Sequence, residues 1–488
     1  MRHYLPLLLI FLSFHFTAFT QNVGIGTTTP AGKLHIVGST DTSQLTIDAN
    51  ATQSGTHPII RFRNAAGADI MHIHSDNAQN VFIGLNAGKS NTQAGGIYAG
   101  LFNSFIGANS GISNTTGNSN TATGQGSLFS NTIGNYNTAN GSGALTYNTT
   151  AEDNVAIGAT ALRYQSFNNG GSSYISGNVA VGRSALQSNN PTSTTTGVYN
   201  TAVGYSAMLY NTTGHENTAI GTSALYSNTS GINNTATGYA TLYNNNGSFN
   251  TALGYQSLVL NNNGWYNTAT GMQALYNNTT GGSNTAIGML ALYHNTGGSN
   301  NIAIGYNCGT HPNTPNLSNT ISIGNSGYLN AFSNQAFIGN TSTVWNGGNT
   351  PWYTYASDAR VKDNVMEDVK GLDFILRLHP VTYNLNIETM RKITENKKTE
   401  DYPGKYDVEK IKQSGFLAQQ VEEAAKESGY SFSGVVTPKN ATTLYSLSYE
   451  QFVVPLVKAV QEQQAIIEKQ NKQIEALLKR VTLLEEKL

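Results

Sequence analysis

The chain has 488 residues, of which 11% are charged, with 51 Gly, 11 Pro, one Cys and a formal net charge of −1. A near-neutral chain offers no basic field for a nucleic-acid backbone, and a single cysteine, Cys308, excludes an intrachain disulfide framework and a cysteine-based zinc cluster. Low charge with abundant glycine points to low complexity or to a repetitive β architecture, and the order of the residues decides between them.

The first twenty residues read as a targeting segment. Met1-Arg-His-Tyr precedes the apolar run Leu5-Pro-Leu-Leu-Leu-Ile-Phe-Leu-Ser-Phe14, and small residues follow at Ala18 and Thr20, before Gln21. This is a short cationic region, a hydrophobic core and a cleavage site. The apolar core, about ten residues, is too short to span roughly 30 Å of hydrocarbon. The pattern predicts removal of residues 1–20 and export to the medium or the cell surface, with residues 21–79 forming an N-terminal β region.

In residues 80–350 one unit recurs. Asn-Thr-Ala-x-Gly or a close variant starts at Asn120, Asn137, Asn154, Asn178, Asn200, Asn217, Asn234, Asn250, Asn267, Asn284 and Asn301, with looser copies at Asn80, Asn103, Asn319 and Gln335. The commonest spacing is 17 residues, stretched by insertions such as Phe167–Ser173. A fixed short period means stacked rungs, since one rung cannot bury enough apolar surface alone. Seventeen residues are too few for a helix pair and suit two short strands and two tight turns. Thr-Ala-Ile-Gly alternates as a pleated strand requires, and Asn-Asn-Gly, Thr-Thr-Gly and Gly-Gly supply turns of positive φ. The repeat resembles the head repeats of trimeric autotransporter adhesins, which implies a trimeric parallel β-roll. The opening Asn22-Val-Gly-Ile-Gly resembles the start of bacterial surface proteins related to phage tail fibres.

Within the repeat, Tyr210, Tyr226, Tyr243, Tyr276 and Tyr293 recur beside the Ala-Leu pair. They read as packing between rungs or, alternatively, as an exposed ladder that stacks on sugar rings. His72 and His74 alternate on one strand face, so threefold symmetry would gather six imidazoles around an axial metal; the plainer reading is two surface residues. Cys308 reads as a small buried filler. Asn-x-Thr triplets such as Asn211-Thr-Thr read as turn chemistry rather than glycan acceptors.

Charge marks the next boundary. Residues 1–356 hold 7 Lys/Arg and 7 Asp/Glu, whereas residues 357–488 hold 19 and 20. Four blocks follow in order: Tyr355-Ala-Ser-Asp-Ala-Arg-Val-Lys-Asp-Asn-Val365, Leu372-Asp-Phe-Ile-Leu-Arg-Leu-His-Pro-Val-Thr-Tyr383, Gly415-Phe-Leu-Ala-Gln-Gln-Val-Glu-Glu423, and Leu447-Ser-Tyr-Glu-Gln-Phe-Val-Val-Pro-Leu-Val-Lys-Ala-Val-Gln-Glu462. Together they resemble the intramolecular chaperone domain of phage endosialidases and tail spikes, the peptidase S74 family. The resemblance implies an α+β domain over residues 351–455 that trimerises, assists folding of the fibre ahead of it and then cuts itself off. The implied scissile bond joins Ala356 to Ser357, with Ser357 as nucleophile and Lys362 as general base. A serine hydroxyl is a weak nucleophile until a base takes its proton, and a neutral lysine serves if it is desolvated or set near a cation such as Arg360. Ser357-Asp358 also reads as an ordinary helix N-cap.

Residues 456–488 carry heptads. Val460, Ile467, Ile474, Val481 and Leu488 repeat every seven residues, and Leu456, Gln463, Gln470, Leu477 and Leu484 fill the seam between them. This predicts a coiled coil, or an amphipathic helix packed on its own domain. The sequence as a whole predicts a mainly β, exported, homotrimeric fibre for adhesion or display, which requires no cofactor and has surface glycans or a host receptor as candidate partners. Rival readings are a fibre with a non-cleaving chaperone and a glycan-degrading spike. The second needs paired carboxylates, but the repeat's acids are sparse: Glu152, Asp153 and Glu216.

Overall fold

The computed structural model describes residues 23–25, 27, 33–36, 45, 47, 58–325, 329–340, 359–393, 406–438, 440–441 and 443–487. It is a mainly β molecule: a parallel β-solenoid, then a small α+β region and a long C-terminal helix. The strands β1 (Val23–Ile25) and β2 (Leu34–Ile36) pair with each other in parallel. The hairpin of β3 (Ile60–Arg63) and β4 (Asp69–His74) is antiparallel, and β4 passes antiparallel to β5 (Val81–Ile83). From β5 through β6 (Ser104–Ile106) to the strand Ala336–Ile338, successive rungs pair in parallel, like residue on like residue, as in Ala219↔Ala236↔Ala252. These pairings close within one chain, usually 17 residues apart.

Each rung contributes one three-residue strand, not two. In Thr218–Ile220, Ala219 points inward and the flanking residues point out. Across the roll, Ala224 and Leu225 are adjacent and both buried. A pleated strand cannot turn two successive side chains inward. The backbone manages it by taking Ser223 and Leu225 to φ values of 55° and 50°. Hydrogen bonding to the neighbouring rung survives: the Leu225 N–H donates to the Thr241 carbonyl at 2.9 Å and the Ser227 N–H to the Tyr243 carbonyl at 2.8 Å. The core is therefore an alanine column facing a leucine column, and it is thin. At its N-terminal end Phe82 and Phe105 take the alanine positions and stack at 5.3 Å. The glycine closing each strand is confined too: Gly221 has φ +133°, and a Cβ there would lie 2.4 Å from the Gly238 carbonyl oxygen.

Two columns of buried asparagine run the length of the roll. In the first, Asn217 donates its backbone N–H to Asn200 Oδ1 at 3.1 Å and its amide to the Gly231 carbonyl at 2.8 Å. Its own Oδ1 accepts the Asn234 N–H at 3.0 Å. In the second, Asn228 donates its amide to Asn211 Oδ1 and to the Gly231 carbonyl, both at 3.0 Å, and Asn245 donates to Asn228 Oδ1 at 3.3 Å. Burying a primary amide is tolerated only when its donors and acceptor are met; here the neighbouring rungs meet them. The second column has one substitution. Gln165 accepts from Asn189, but its own amide goes to the Tyr174 hydroxyl at 3.1 Å, and Asn148 Oδ1 is left without a partner among the described residues. That rung also carries the Phe167–Ser173 insertion.

Replacing Asn228 by Ala removes an acceptor from Asn245 and a donor from Asn211 and Gly231. The expected cost is about 2–3 kcal/mol. Exposed Asn244→Ala should fall within about 0.5 kcal/mol of the parent. Denaturant midpoints of the two variants check the difference.

Candidate functional site

Three of the sequence blocks fold into one small core after the solenoid. Leu372–Ile375 forms a helical turn, α1, followed by the strand Val381–Tyr383. Beyond it lies the helix Ile387–Ile393, α2. The strand Gln413–Gly415 pairs antiparallel with Val381–Tyr383 and leads into the helix Ala418–Glu427, α3. A turn at Tyr449–Phe452 opens the 33-residue helix Val453–Glu485, α4. Phe374, Val421 and Phe452, one from each block, meet in a buried cluster. Phe416 and Phe432 pack on Phe452 at 5.3 and 4.8 Å between ring centroids.

Two contacts in this core escaped the reading of the sequence. The Glu462 carboxylate on α4 accepts the Leu372 N–H at 2.7 Å, filling the role of a capping side chain for α1. The Tyr449 hydroxyl accepts the Phe416 N–H at 3.0 Å. In both cases the nearby glycine was the available signal. A Cβ on Gly371 would meet Glu462 and the Ala459 nitrogen, and one on Gly415 would meet the Tyr449 hydroxyl. At the surface Arg377 bridges Asp373 and Glu427 at 3.0 and 2.8 Å, and these carboxylates hold its guanidinium above its ordinary pKa.

Of the expected cleavage residues, Ala356 and Ser357 lie outside the described residues. Lys362 follows a 3-10 turn at Ala359–Val361, with its N–H donating to the Ala359 carbonyl at 3.3 Å. Its side chain is exposed, as are those of Arg360, Val361, Val365 and Met366. All of residues 359–366 are exposed.

The other candidates fall on the solenoid. His72 and His74 share a face of β4, as alternation requires, but that face looks into the roll and both rings are buried. His74 lies 5.0 Å from the Phe82 ring and caps the alanine column. His72 Nε2 approaches Asp69 Oδ2 at 3.3 Å without lining up as a hydrogen bond, and the His74 ring nitrogens have no hydrogen-bond partner among the described residues. No group of three or more His, Cys, Asp or Glu able to hold a metal occurs among the described residues. Cys308 is buried, and burial pushes its thiol pKa up. Glu152 accepts the Asn135 amide at 2.5 Å, a rung-to-rung contact. The tyrosines stack on one another: Tyr226 on Tyr243 at 4.7 Å and 7°, Tyr276 on Tyr293 at 5.5 Å and 23°, while Tyr210 meets Tyr226 edge-on. Rings stacked in this way cover each other's faces, which a sugar would need, and favour packing between rungs.

Among the described residues no helix is long and apolar enough to cross a membrane. A family model described as chaperone of endosialidase, peptidase S74, matches residues 357–430. Comparison with curated proteins finds no match. The matched segment begins at the serine expected to act as nucleophile and takes in α1, α2 and α3.

Burial lowers the pKa of His74 below its usual 6.5, and His72 adds to this while Asp76 opposes it. A depressed histidine supports the fold fully above pH 6.5, and that support is lost as pH falls through the folded-state value. The solenoid's unfolding midpoint should therefore drop on acidification below pH 6.5, and His74→Leu should flatten that dependence. Thermal melts of both proteins across this range are the check.

Proposed function

We propose that this chain is an exported, fibre-like surface protein that assembles as a homotrimer. Its C-terminal region guides assembly and then cleaves the chain once, between Ala356 and Ser357. The observation that carries the reading is the endosialidase-chaperone match, which starts at Ser357 directly behind a β-solenoid. The family is one of self-processing chaperones, and its Ser-Asp-x-Arg-x-Lys motif stands here intact from Ser357 to Lys362.

The chemistry runs as an acyl shift followed by hydrolysis. Lys362 Nζ, as the neutral amine, takes the proton of Ser357 Oγ, which attacks the Ala356 carbonyl carbon. The C–N bond breaks as the proton passes to the Ser357 nitrogen, leaving an ester on Oγ and a free α-amine. Water then cleaves the ester, giving an Ala356 carboxylate and regenerating the Ser357 hydroxyl. A lysine acts as base only where water is excluded or another cation is near. The exposed surroundings of Lys362 in one protomer support a site completed by assembly.

Helix α4 supports the oligomer. Val460, Ile467, Ile474 and Val481 are all exposed along its seam, and only Pro455 and Ala459 of its residues are buried. A 33-residue helix with an open apolar seam is stable when copies of it pack together. The signal-like residues 1–20 lie outside the described residues and support export by sequence alone. Adhesion or display is the role of the fibre, with glycans or a host receptor as its targets.

Intact mass of purified protein tests the cleavage. The wild type should yield a fragment that begins at Ser357, and Ser357→Ala and Lys362→Met should each stay whole. Whole chains in the wild type under native conditions would reduce the C-terminal region to a resident chaperone.

A further inference from the structure

One row on the solenoid surface runs against the preference of its own backbone. The residue just before each buried asparagine of the first column, from Phe102 to Asn300, has φ between 54° and 61°. Such left-handed backbone suits Gly, Asn and Asp and disfavours bulky side chains. Yet Phe102, Tyr136, Tyr199, Phe249 and Tyr266 stand there, each at least two-fifths exposed. The roll does not require them. Tyr136 donates its N–H to the Asn118 carbonyl at 3.1 Å, and Asn233, in the same position of another rung, makes the equivalent bond to the His215 carbonyl at 3.2 Å. These rings also differ from the tyrosines beside the Ala-Leu pair. Tyr136 and Tyr199 are 59% and 54% exposed, with no ring stacked on either among the described residues. The Tyr199 ring lies over Gly177, where a Cβ would come within 2.9 Å of it. Phe249 and Tyr266 stack at 5.1 Å and 12°, so each keeps one face free of the other. Asp153 and Glu216 are exposed in the same row, and neither that row nor the column before it holds Lys or Arg.

We propose that this row is a binding ridge for an extended, neutral polysaccharide lying along the solenoid axis. The inference rests on the adhesion reading and names its ligand and its site. The electron-rich face of an aromatic ring attracts the polarised C–H bonds of a sugar, provided the face is open. The parallel register sets neighbouring positions of the row one strand spacing apart, ~4.8 Å, close to the length of one sugar unit in an extended chain. Tyr136 and Tyr199 are three rungs apart, as are Tyr199 and Phe249. A polymer that meets one ring in register therefore meets the next. Between the rings Asp153 and Glu216 offer acceptors to hydroxyl groups, and Asn233 offers both donor and acceptor. With carboxylates and no Lys or Arg in the row, an acidic glycan would be repelled. A second copy of the chain is a poor occupant, because two such rows face to face would bury Asp153 and Glu216 with no cation to pair them.

Affinity electrophoresis of the full chain tests it, in native gels cast with galactomannan, hydroxyethyl cellulose or glycogen, and with polygalacturonate as the acidic comparison. At least one neutral polymer should slow the wild type, and polygalacturonate should not. Tyr136→Asn combined with Tyr199→Asn should weaken that binding by at least about tenfold. Tyr243→Leu, in the ladder whose rings cover each other, should leave it unchanged. Asparagine takes positive φ more readily than tyrosine, so the double variant should melt no lower than the wild type and elute as the same oligomer. Retardation by a neutral polymer that the double variant retains in full would refute the ridge and leave glycan adhesion standing. Retardation by polygalacturonate alone would do the same. Free migration through every gel would overturn the proposal and leave a host receptor as the target of the fibre. A double variant that melts lower or changes its oligomeric state would assign the rings to contacts between copies, and the ridge would fall on that result too.

Discussion

The solenoid rests on buried primary amides that only the neighbouring rung can satisfy. Asn217 and Asn228 each reach both ways along the axis, and neither has water to fall back on. A single rung would leave these groups orphaned, at a cost of about 1–3 kcal/mol for each unmade hydrogen bond. A stack satisfies all but its ends. This explains why the repeat keeps asparagine rather than aspartate or serine: the position needs a donor pair and an acceptor on one short side chain. Gln165 tests the rule. The longer amide still accepts from the next rung, but it turns its donor to Tyr174, and the column breaks at Asn148. Tyr174 is itself buried there, which pushes its phenol up to about 12.

The same regularity creates a problem the solenoid cannot solve alone. Successive rungs present nearly identical columns, so two rolls displaced by one rung would match almost as well as two in register. Repeating contacts specify a direction, but only non-repeating ones specify an offset. The cluster around Phe374, Val421 and Phe452 and the helix α4 are the non-repeating part of the molecule. On the proposed assembly they hold three chains at a common starting point and raise their local concentration before the rolls meet. The unpaired strand edge of a growing roll is also an aggregation hazard, which is a physical reason for the proposed chaperone behind it.

The period and the stacking of rungs were legible because they depend on spacing alone, whereas the parallel pairing was what the resemblance to the adhesin head repeats implied. The three residues Thr218–Ile220 announce a strand by alternation. Ala224-Leu225 conceals its geometry, since two buried neighbours fit either a helix or a kinked turn, and left-handed leucines are not a pattern that propensity reveals. The asparagines of the first column were visible only as the start of the repeat, and those of the second, such as Asn211, read as turn chemistry, because a buried amide looks like an exposed one until its partners are known. His72 and His74 show the same limit: alternation placed them on one face, and only the packing of β4 over Phe82 says that the face is interior. In the C-terminal region the blocks were legible and the Glu462 contact to α1 was not, since it joins residues 90 apart.

The proposed cleavage site follows a different logic from an ordinary active site. An enzyme that turns over needs a cleft open to substrate and product. A bond cut once, in the chain that carries the nucleophile, needs no cleft, because the substrate is already held at high effective concentration. What it needs is a condition that delays the cut. In the protomer the side chains of Lys362, Val361, Val365 and Met366 are exposed, and a lysine serves as base only where water is excluded or another cation is near. Packing those valines and the methionine against a neighbouring chain would remove the water from around the amine. Assembly and chemistry would then share a single trigger: contacts that complete the trimer also make the lysine a base. Loss of the non-repeating segment afterwards would leave rolls held by many small contacts and no longer by the element that aligned them, so that separation is slow and reassembly is not available.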